Sequence, residues 1–584
     1  MAATESSAAS RALSTFLADD WAAWLALLPE YATAFGVRDH DDRWTDDSPA
    51  GIEARRRQLA RSLERIRAID RAALPDGDRL SYALALQLLE STEQGLPYGF
   101  DAVPLRGVSP RCLYMPLNQL DGIHISAAEI LDLQPRETVA DFERWVRRLE
   151  ALPTAIDQTR RLLEDGLRHG MSPPRVPLRS VPDQLQAVAP ANAVESPVVR
   201  PFLADADRLP PAPREQLRAR VLAAYADGVV PAFGRLREYV ETTYLPACRE
   251  TIAAGALPHG AEMYRYLVEW QTTTALSPTE IHQIGLAEVT RIRRELEALR
   301  ASTGFAGDLP AFFAHLRGEP KFFCASGAEL LAHYRAIAKQ VDPALTRLFG
   351  RLPRLPYGVV PVPEYRSAAS PAAYYVPGAP AAARPGNFNI NLTPLDARPK
   401  WQAEALTLHE AVPGHHLQMS LAQELEGVPE FRRFAAYNAF VEGWGLYAES
   451  LGGELGFYQD PYAKVGQLGF DMWRSIRLVV DTGMHALGWS REQAIRFFLE
   501  NTGHSEHDVT VEVDRYITWP GQALAYKIGQ LKIRELRARA ESRLGERFDV
   551  RAYHDLVLGE GAIPLGELER RVQEWIETRA AAPA

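Results

Sequence analysis

The chain has 584 residues, 46% hydrophobic and 24% charged, a balance that supplies a large buried core and excludes a disordered or fibrous protein. Its formal charge is −10, from 65 basic and 75 acidic residues, and no basic block stands out, which argues against nucleic-acid binding as its main task. Three widely spaced cysteines, Cys112, Cys248 and Cys324, fit neither a disulfide framework nor a thiolate metal site.

The opening segment MAATESSAASRALSTFLADDW lacks an apolar core of signal-peptide length. No later run reaches the roughly 18 apolar residues of a membrane span. With so few cysteines, a reducing, cytoplasmic compartment is the expectation. From Glu53 to Ile69, Leu59, Leu63 and Ile66 recur at helical steps among arginines, predicting an amphipathic helix. Met171 to Pro213 is rich in proline, which resists helix interiors, and reads as a connection packed across the surface. Val289, Ile292, Leu296 and Leu299 predict another amphipathic helix, as does GQLKIRELRARA from Gly529 to Ala540. Between them, from Leu352 to Leu392, LPYGVVPVPEY and NFNINL alternate as strands do. In the second, Phe388, Ile390 and Leu392 share one face and Asn387, Asn389 and Asn391 the other. The expected fold class is therefore mainly α, with a small β-sheet.

That sheet runs into LTLHEAVPGHHLQ, residues 406–418. In the HExxH pattern, histidines at i and i+4 on one helical face bind zinc, and the Glu between them polarises the attacking water. Here His409 and Glu410 are present, but Pro413 stands at i+4 and the next histidines are His415 and His416. On a straight helix a residue at i+7 lies about 10.5 Å along the axis and one at i+6 about 120° round, too far to share one ion. A break at Pro413-Gly414 would bring His415 into the i+4 role, with His416 one step beyond, facing substrate or supporting a ligand. His409 and His415 are thus the expected metal ligands. A satisfied polar cluster at a helix break is the plain structural alternative.

The next segment, NAFVEGWGLYAES (438–450), places Glu442 and Glu449 seven apart on nearly one face of an otherwise apolar helix. Carboxylates there are costly to bury unless paired or ligated. Glu442 is the expected third ligand, and Glu449 a group that orients a ligand histidine or a surface Glu. Downstream, RYITWPGQALAYKIGQ (515–530) brings Tyr526, with Tyr516 and His485 as weaker choices for a donor to a developing oxyanion. Arg515, Gln522 and Lys527 have the chemistry to bind a substrate carboxylate, though nothing in the sequence decides it. His504 and His507, lacking a neighbouring third ligand, read as surface. Tyr374 and Tyr375 are placed to line a cleft near the strand NFNINL, whose edge an extended substrate could join. The chain carries no G-x-S-x-G elbow, P-loop or G-x-G-x-x-G fingerprint.

The runs RPGNFNINL, LTLHEAVPGHHLQ, FVEGWGLYAES, DTGMHALGWS and VDRYITWPGQALAYKIGQLKIRELR closely resemble the bacterial domain of unknown function 885 family, regarded as zinc metallopeptidase relatives. SPRCLYMPLNQLDG (109–122) and YLVEWQTTTALSPTEIHQIGLAEV (266–289) extend the resemblance over most of the chain. More distantly, the region is similar to the thimet oligopeptidase group of gluzincins. There HEFGH precedes an FVEAPS-type helix whose Glu is the third zinc ligand. HEAVPGH matches with two extra residues, which supports His415 over His416 and leaves the metal geometry more open. The resemblance implies one helical catalytic unit, with residues 1–195 and 196–584 as cooperating parts flanking a substrate cleft. It implies one Zn2+ held by His409, His415 and Glu442, Glu410 as general base, Tyr526 as a phenol donor and short peptides as substrates. The alternatives are a metal-dependent hydrolase of a non-peptide amide and a non-catalytic peptide-binding scaffold.

Overall fold

The computed structural model describes residues 7–363, 367, 370–379 and 384–581. The first six residues, and Glu364 and Tyr365 at the end of the first expected strand, lie outside the described residues. The protein is mainly α with one small sheet, and it divides into two compact units: Met1–Leu105 with Pro110–Met263, and Arg106–Ser109 with Tyr264–Ala584.

The first unit is built from helices that include α1 (Ala8–Leu27), α2 (Pro49–Arg67), α3 (Asp76–Gly95) and α4 (Val139–Arg168). Helix α2 begins where Ser48 accepts from the Gly51 N–H and Pro49 needs no hydrogen bond, and it buries Leu59, Leu63 and Ile66. Helix α4 starts with a reciprocal cap between Thr138 and Asp141 and buries Trp145, Leu149, Leu152 and Ile156 completely. The proline-rich stretch does not run over the surface. It forms short helices, among them Val181–Val188 and Arg200–Asp205, and buries Val181, Val198, Val199 and Phe202 in the core of this unit. Pro182 and Pro201 sit in the first turns of those two helices, where no N–H is needed.

In the second unit, α5 (Pro278–Ser302) is capped by Ser277 and Glu280 and buries Val289, Ile292 and Leu296, as the spacing predicts. Helix α6 (Gly327–Val341) follows, then strands β1 (Tyr357–Pro361), β2 (Ala373–Val376) and β3 (Gly386–Ile390). The strand order is β1-β3-β2, with β3 parallel to β1 and antiparallel to β2. Tyr334 of α6 packs edge-on against Phe388 at 5.8 Å. Because β3 is paired on both sides, no substrate strand can add to NFNINL, contrary to the sequence expectation. Its central place also explains why Asn389 and Asn391 are buried. The Asn389 amide donates to Asn387 O, and the Asn391 amide to Ser370 O.

The remaining elements that position the site are α7 (Ala403–Glu410), α8 (His415–Gln423), α9 (Asn438–Ser450), α10 (Pro461–Ala486), α11 (Glu506–Thr518) and α12 (Ala525–Leu544). Helices α9 and α12 touch backbone to backbone: a Cβ on Gly443 would lie 2.5 Å from Gly529 Cα. The α9–α12 crossing therefore depends on residues without side chains.

Candidate metal centre

Helix α7 ends at Glu410, and the chain turns through Ala411 and Gly414 before α8 begins at His415. The His416 N–H donates to Ala411 O at 3.0 Å and the Gln418 N–H to Gly414 O at 3.0 Å, which closes the break. Gly414 packs so tightly on the end of α7 that a Cβ would lie 1.8 Å from the His409 carbonyl oxygen. Only glycine fits there. The result is a gap in which His409, at the end of one helix, faces His415, at the start of the next. Their ring centroids are 4.7 Å apart with planes at 88°.

Helix α9 brings Glu442 to the same place. Its Oε2 is 3.7 Å from His409 Nε2 and 3.5 Å from His415 Nε2. One ligand atom from each of the three residues lies within 4.8 Å of the others. An ion with ligands at about 2.0–2.2 Å needs them roughly 3–3.5 Å apart, and the two distances to Glu442 are already close to that range. Two further contacts fix the arrangement. The Trp444 indole donates to Pro413 O at 2.8 Å and ties α9 to the break. Gly445 leaves room for the imidazole, since a Cβ there would lie 2.8 Å from the His409 ring.

Glu449, fully buried two turns along α9, is 2.7 Å from His409 Nδ1. With Nδ1–H donated to that carboxylate, neutral His409 presents a bare Nε2 to Glu442 and His415. Three electron-rich atoms thus converge, an arrangement that calls for a cation between them. Burial would lower the His409 pKa, but Glu442, Glu449 and the charge of Glu410 override it and push it up to about 10. Burial would raise Glu442, yet His409 and His415 hold it well below the usual carboxylate range. This donor set suits one divalent ion.

Glu410 sits beside the cluster at the end of α7, partly accessible, with no hydrogen-bond partner among the described residues. Burial, with Glu442 adding to it, raises its carboxyl above the ordinary value despite His409, His415 and Arg474. His416 points elsewhere, as successive residues on a helix do. Its Nε2–H donates to Leu355 O at 3.0 Å, its Nδ1 accepts from the Tyr375 hydroxyl at 2.9 Å, and its ring lies 4.5 Å from that of Tyr357. Burial drives its pKa down to about 4. His416 and Tyr375 thus join α8 to the sheet.

The other sequence candidates fall outside the His409–His415–Glu442 cluster. Tyr516 donates to Glu512 at 2.6 Å and accepts from Arg477 and Trp473, while His485 Nε2 is 3.0 Å from Tyr516 O. Lys527 is fully buried in ion pairs with Asp471 (2.5 Å) and Glu288 (2.8 Å), so it is not available to a substrate carboxylate. Gln522 accepts from Arg515 at 2.8 Å. His504 is half-buried against Trp473, with ring centroids 4.1 Å apart, and His507 is exposed. Tyr526 lies under the Arg477 guanidinium at 4.6 Å, and its hydroxyl is 3.4 Å from Arg515 Nη2. No hydrogen bond joins it to the cluster. Two residues that the sequence did not single out are Arg474 and Arg477. Arg474 Nη2 is 3.7 Å from Glu449 Oε1. The signal was there to read: charged side chains at both ends of RSIR, followed directly by the apolar run Leu478–Val480, must be buried for a reason.

Solved structures similar to this chain include a crystal structure described as that of "the putative lipoprotein" from Colwellia psychrerythraea. It is 30% identical, with a TM-score of 0.91, over 98% of this chain and 100% of that one. A "putative lipoprotein of unknown function" from Shewanella oneidensis shares the fold, at 15% identity and a TM-score of 0.68, over 97% of this chain and 99% of that one. No curated protein matches. The expected cytoplasmic compartment is overturned by the 30% identical structure, which is described as a putative lipoprotein. The three free cysteines carry little weight, since a protein without disulfides is stable on either side of a membrane when its core is large. Among the described residues, no helix is long and apolar enough to cross a membrane. The family described as "Bacterial protein of unknown function (DUF885)" matches residues 29–572, and the chain belongs to it.

Proposed function

We propose that the protein is a metal-dependent hydrolase of amide bonds in short peptides, with His409, His415 and Glu442 as ligands of one zinc ion. The observation that carries this reading is the convergence of those three donors beside Glu410, a carboxylate with no hydrogen-bond partner among the described residues. Zinc bound there would act as a Lewis acid toward water and the scissile carbonyl. Glu449 holds His409 in the tautomer that leaves Nε2 bare. Glu410 takes a proton from the attacking water and returns it to the leaving amine. The similarity of HEAVPGH and FVEGWG to the zinc oligopeptidase pattern supports the same reading. A protein that only binds peptides has no use for Glu410 beside the ligands.

The test is cleavage of a peptide library by the wild-type chain and Glu410→Gln. The variant is expected to lose roughly 10²- to 10⁴-fold in rate while keeping its metal. Cleavage by Glu410→Gln at the wild-type rate would contradict the general-base role.

A further inference from the structure

Beside the ligand cluster lies a group of arginines whose charge the protein only partly answers. Arg474 is more than nine-tenths buried, yet its Nε has no partner among the described residues. Its hydrogen bond to Phe470 O is 3.4 Å long, and its ion pair with Glu449 is 3.7 Å, to a carboxylate already engaged by His409. One turn along α10, Arg477 donates to the Tyr516 hydroxyl (2.9 Å) and to Glu512 (3.1 Å), but its buried Nη1 has no partner. Arg515 Nη1 shares Glu512 at 3.6 Å. Arg477 and Arg515 thus share one carboxylate, and Arg474, one turn before Arg477 on α10, has only a share of Glu449. Tyr526 lies against two of them, and its hydroxyl, accepting from Arg515, has its own proton to donate.

Buried guanidinium donors without acceptors are costly, and the cost is removed when an anion fills the gap. Arginine forks match carboxylate geometry in two-point contacts. The position of the group says which carboxylate. Arg474 reaches Glu449, which holds His409, and the Gly443–Gly529 contact sets the Tyr526 helix against the Glu442 helix. A carboxylate held there is only a few side chains from the ligands.

We propose that Arg474, Arg477 and Arg515, with the Tyr526 hydroxyl, form a subsite for a peptide carboxylate, so that substrate is held by its C-terminal end. This rests on the hydrolase reading for its substrate, but not for its binding test. Three N-acetylated tripeptides serve as probes: a free acid, the amide of the same sequence, and an amide whose C-terminal residue is replaced by Glu. Calorimetric binding is measured with the full chain carrying Glu410→Gln, so that peptide stays intact. The free acid is expected to bind roughly 10- to 100-fold more tightly than the amide, the scale of lost hydrogen bonds to a charged group. Arg477→Gln and the milder Arg515→Gln, a partly exposed position, should shrink that difference. If the Glu-bearing amide binds like the free acid, the carboxylate subsite stands with an acidic side chain as its guest. Equal binding of all three probes overturns the proposal. So does an acid preference that survives unchanged in both arginine variants. Selective binding without cleavage by the wild-type chain would instead sink the hydrolase reading and leave the subsite in place.

Discussion

The N-terminal unit and the C-terminal unit each bury a cluster of charge, and the two clusters are finished differently. In the first, Arg55 is 1% exposed and donates to Asp101 (3.0 Å), Asp47 (2.9 Å) and Asp46 O (2.7 Å), while Arg111 pairs with the same two carboxylates. Every buried polar side-chain atom of Arg55, Asp47 and Asp101 has a partner, and Arg55 and Arg111 hold Asp47 ionised against the effect of burial. In the second, His415 Nδ1, Glu449 Oε2, Arg474 Nε and Arg477 Nη1 are buried without partners. Burying charge costs about the same in either place, so the difference is in what completes the network. A closed network is structural, whereas one with several orphaned atoms around an unengaged carboxylate is built around something the chain does not itself supply.

The largest effect that sharpens this contrast comes from Asp101→Asn. It leaves Arg55 buried against a neutral amide and is expected to destabilise the chain by about 3–5 kcal/mol in chemical denaturation, with metal content unchanged. Glu449→Gln should do the reverse. It removes the acceptor that orients His409, so zinc affinity should fall roughly 10- to 100-fold by competition with a chromophoric chelator, with a small loss of stability. A destabilised Glu449→Gln chain with full zinc affinity would break the comparison.

A smaller effect concerns Asp481, a buried carboxyl whose hydrogen-bond partners, Tyr264 and Gly521, belong to neither cluster. Burial raises it to about 7, only partly offset by the Tyr264 hydroxyl (2.5 Å) and the Gly521 N–H. In the unfolded chain Asp titrates near about 3.9. Between those values the native state holds the extra proton, so stability falls as pH rises, by up to about 1.4 kcal/mol per unit, and levels off above about 7. Asp481→Asn should flatten that slope in unfolding midpoints measured across pH. An unchanged slope would show that Asp481 titrates normally.

Much of the fold was legible because periodicity survives packing: Leu59, Leu63 and Ile66, and Val289, Ile292 and Leu296, all turn inward as their spacing predicts. The strand NFNINL was legible as a strand, but not as the central one, since pairing is decided by segments far away in sequence. The proline-rich stretch misled because proline marks a helix start as readily as a loop. At the site, the two-residue excess in HEAVPGH pointed to a break, and the observed turn through Gly414 brings His415 rather than His416 to His409 and Glu442. Arg474 and Arg477 went unnoticed because arginine is common in this chain. Which guanidinium groups lack a partner is decided by packing between segments far apart in sequence.

The proposed chemistry stands or falls with the ion. Zinc content of the purified chain, after loading with the metal and exhaustive dialysis, tests this directly. The prediction is one zinc per chain in the wild type and His416→Ala, and none retained by His409→Ala or His415→Ala. A wild-type chain that holds no stoichiometric metal, or zinc lost with His416→Ala and kept by His415→Ala, would contradict it.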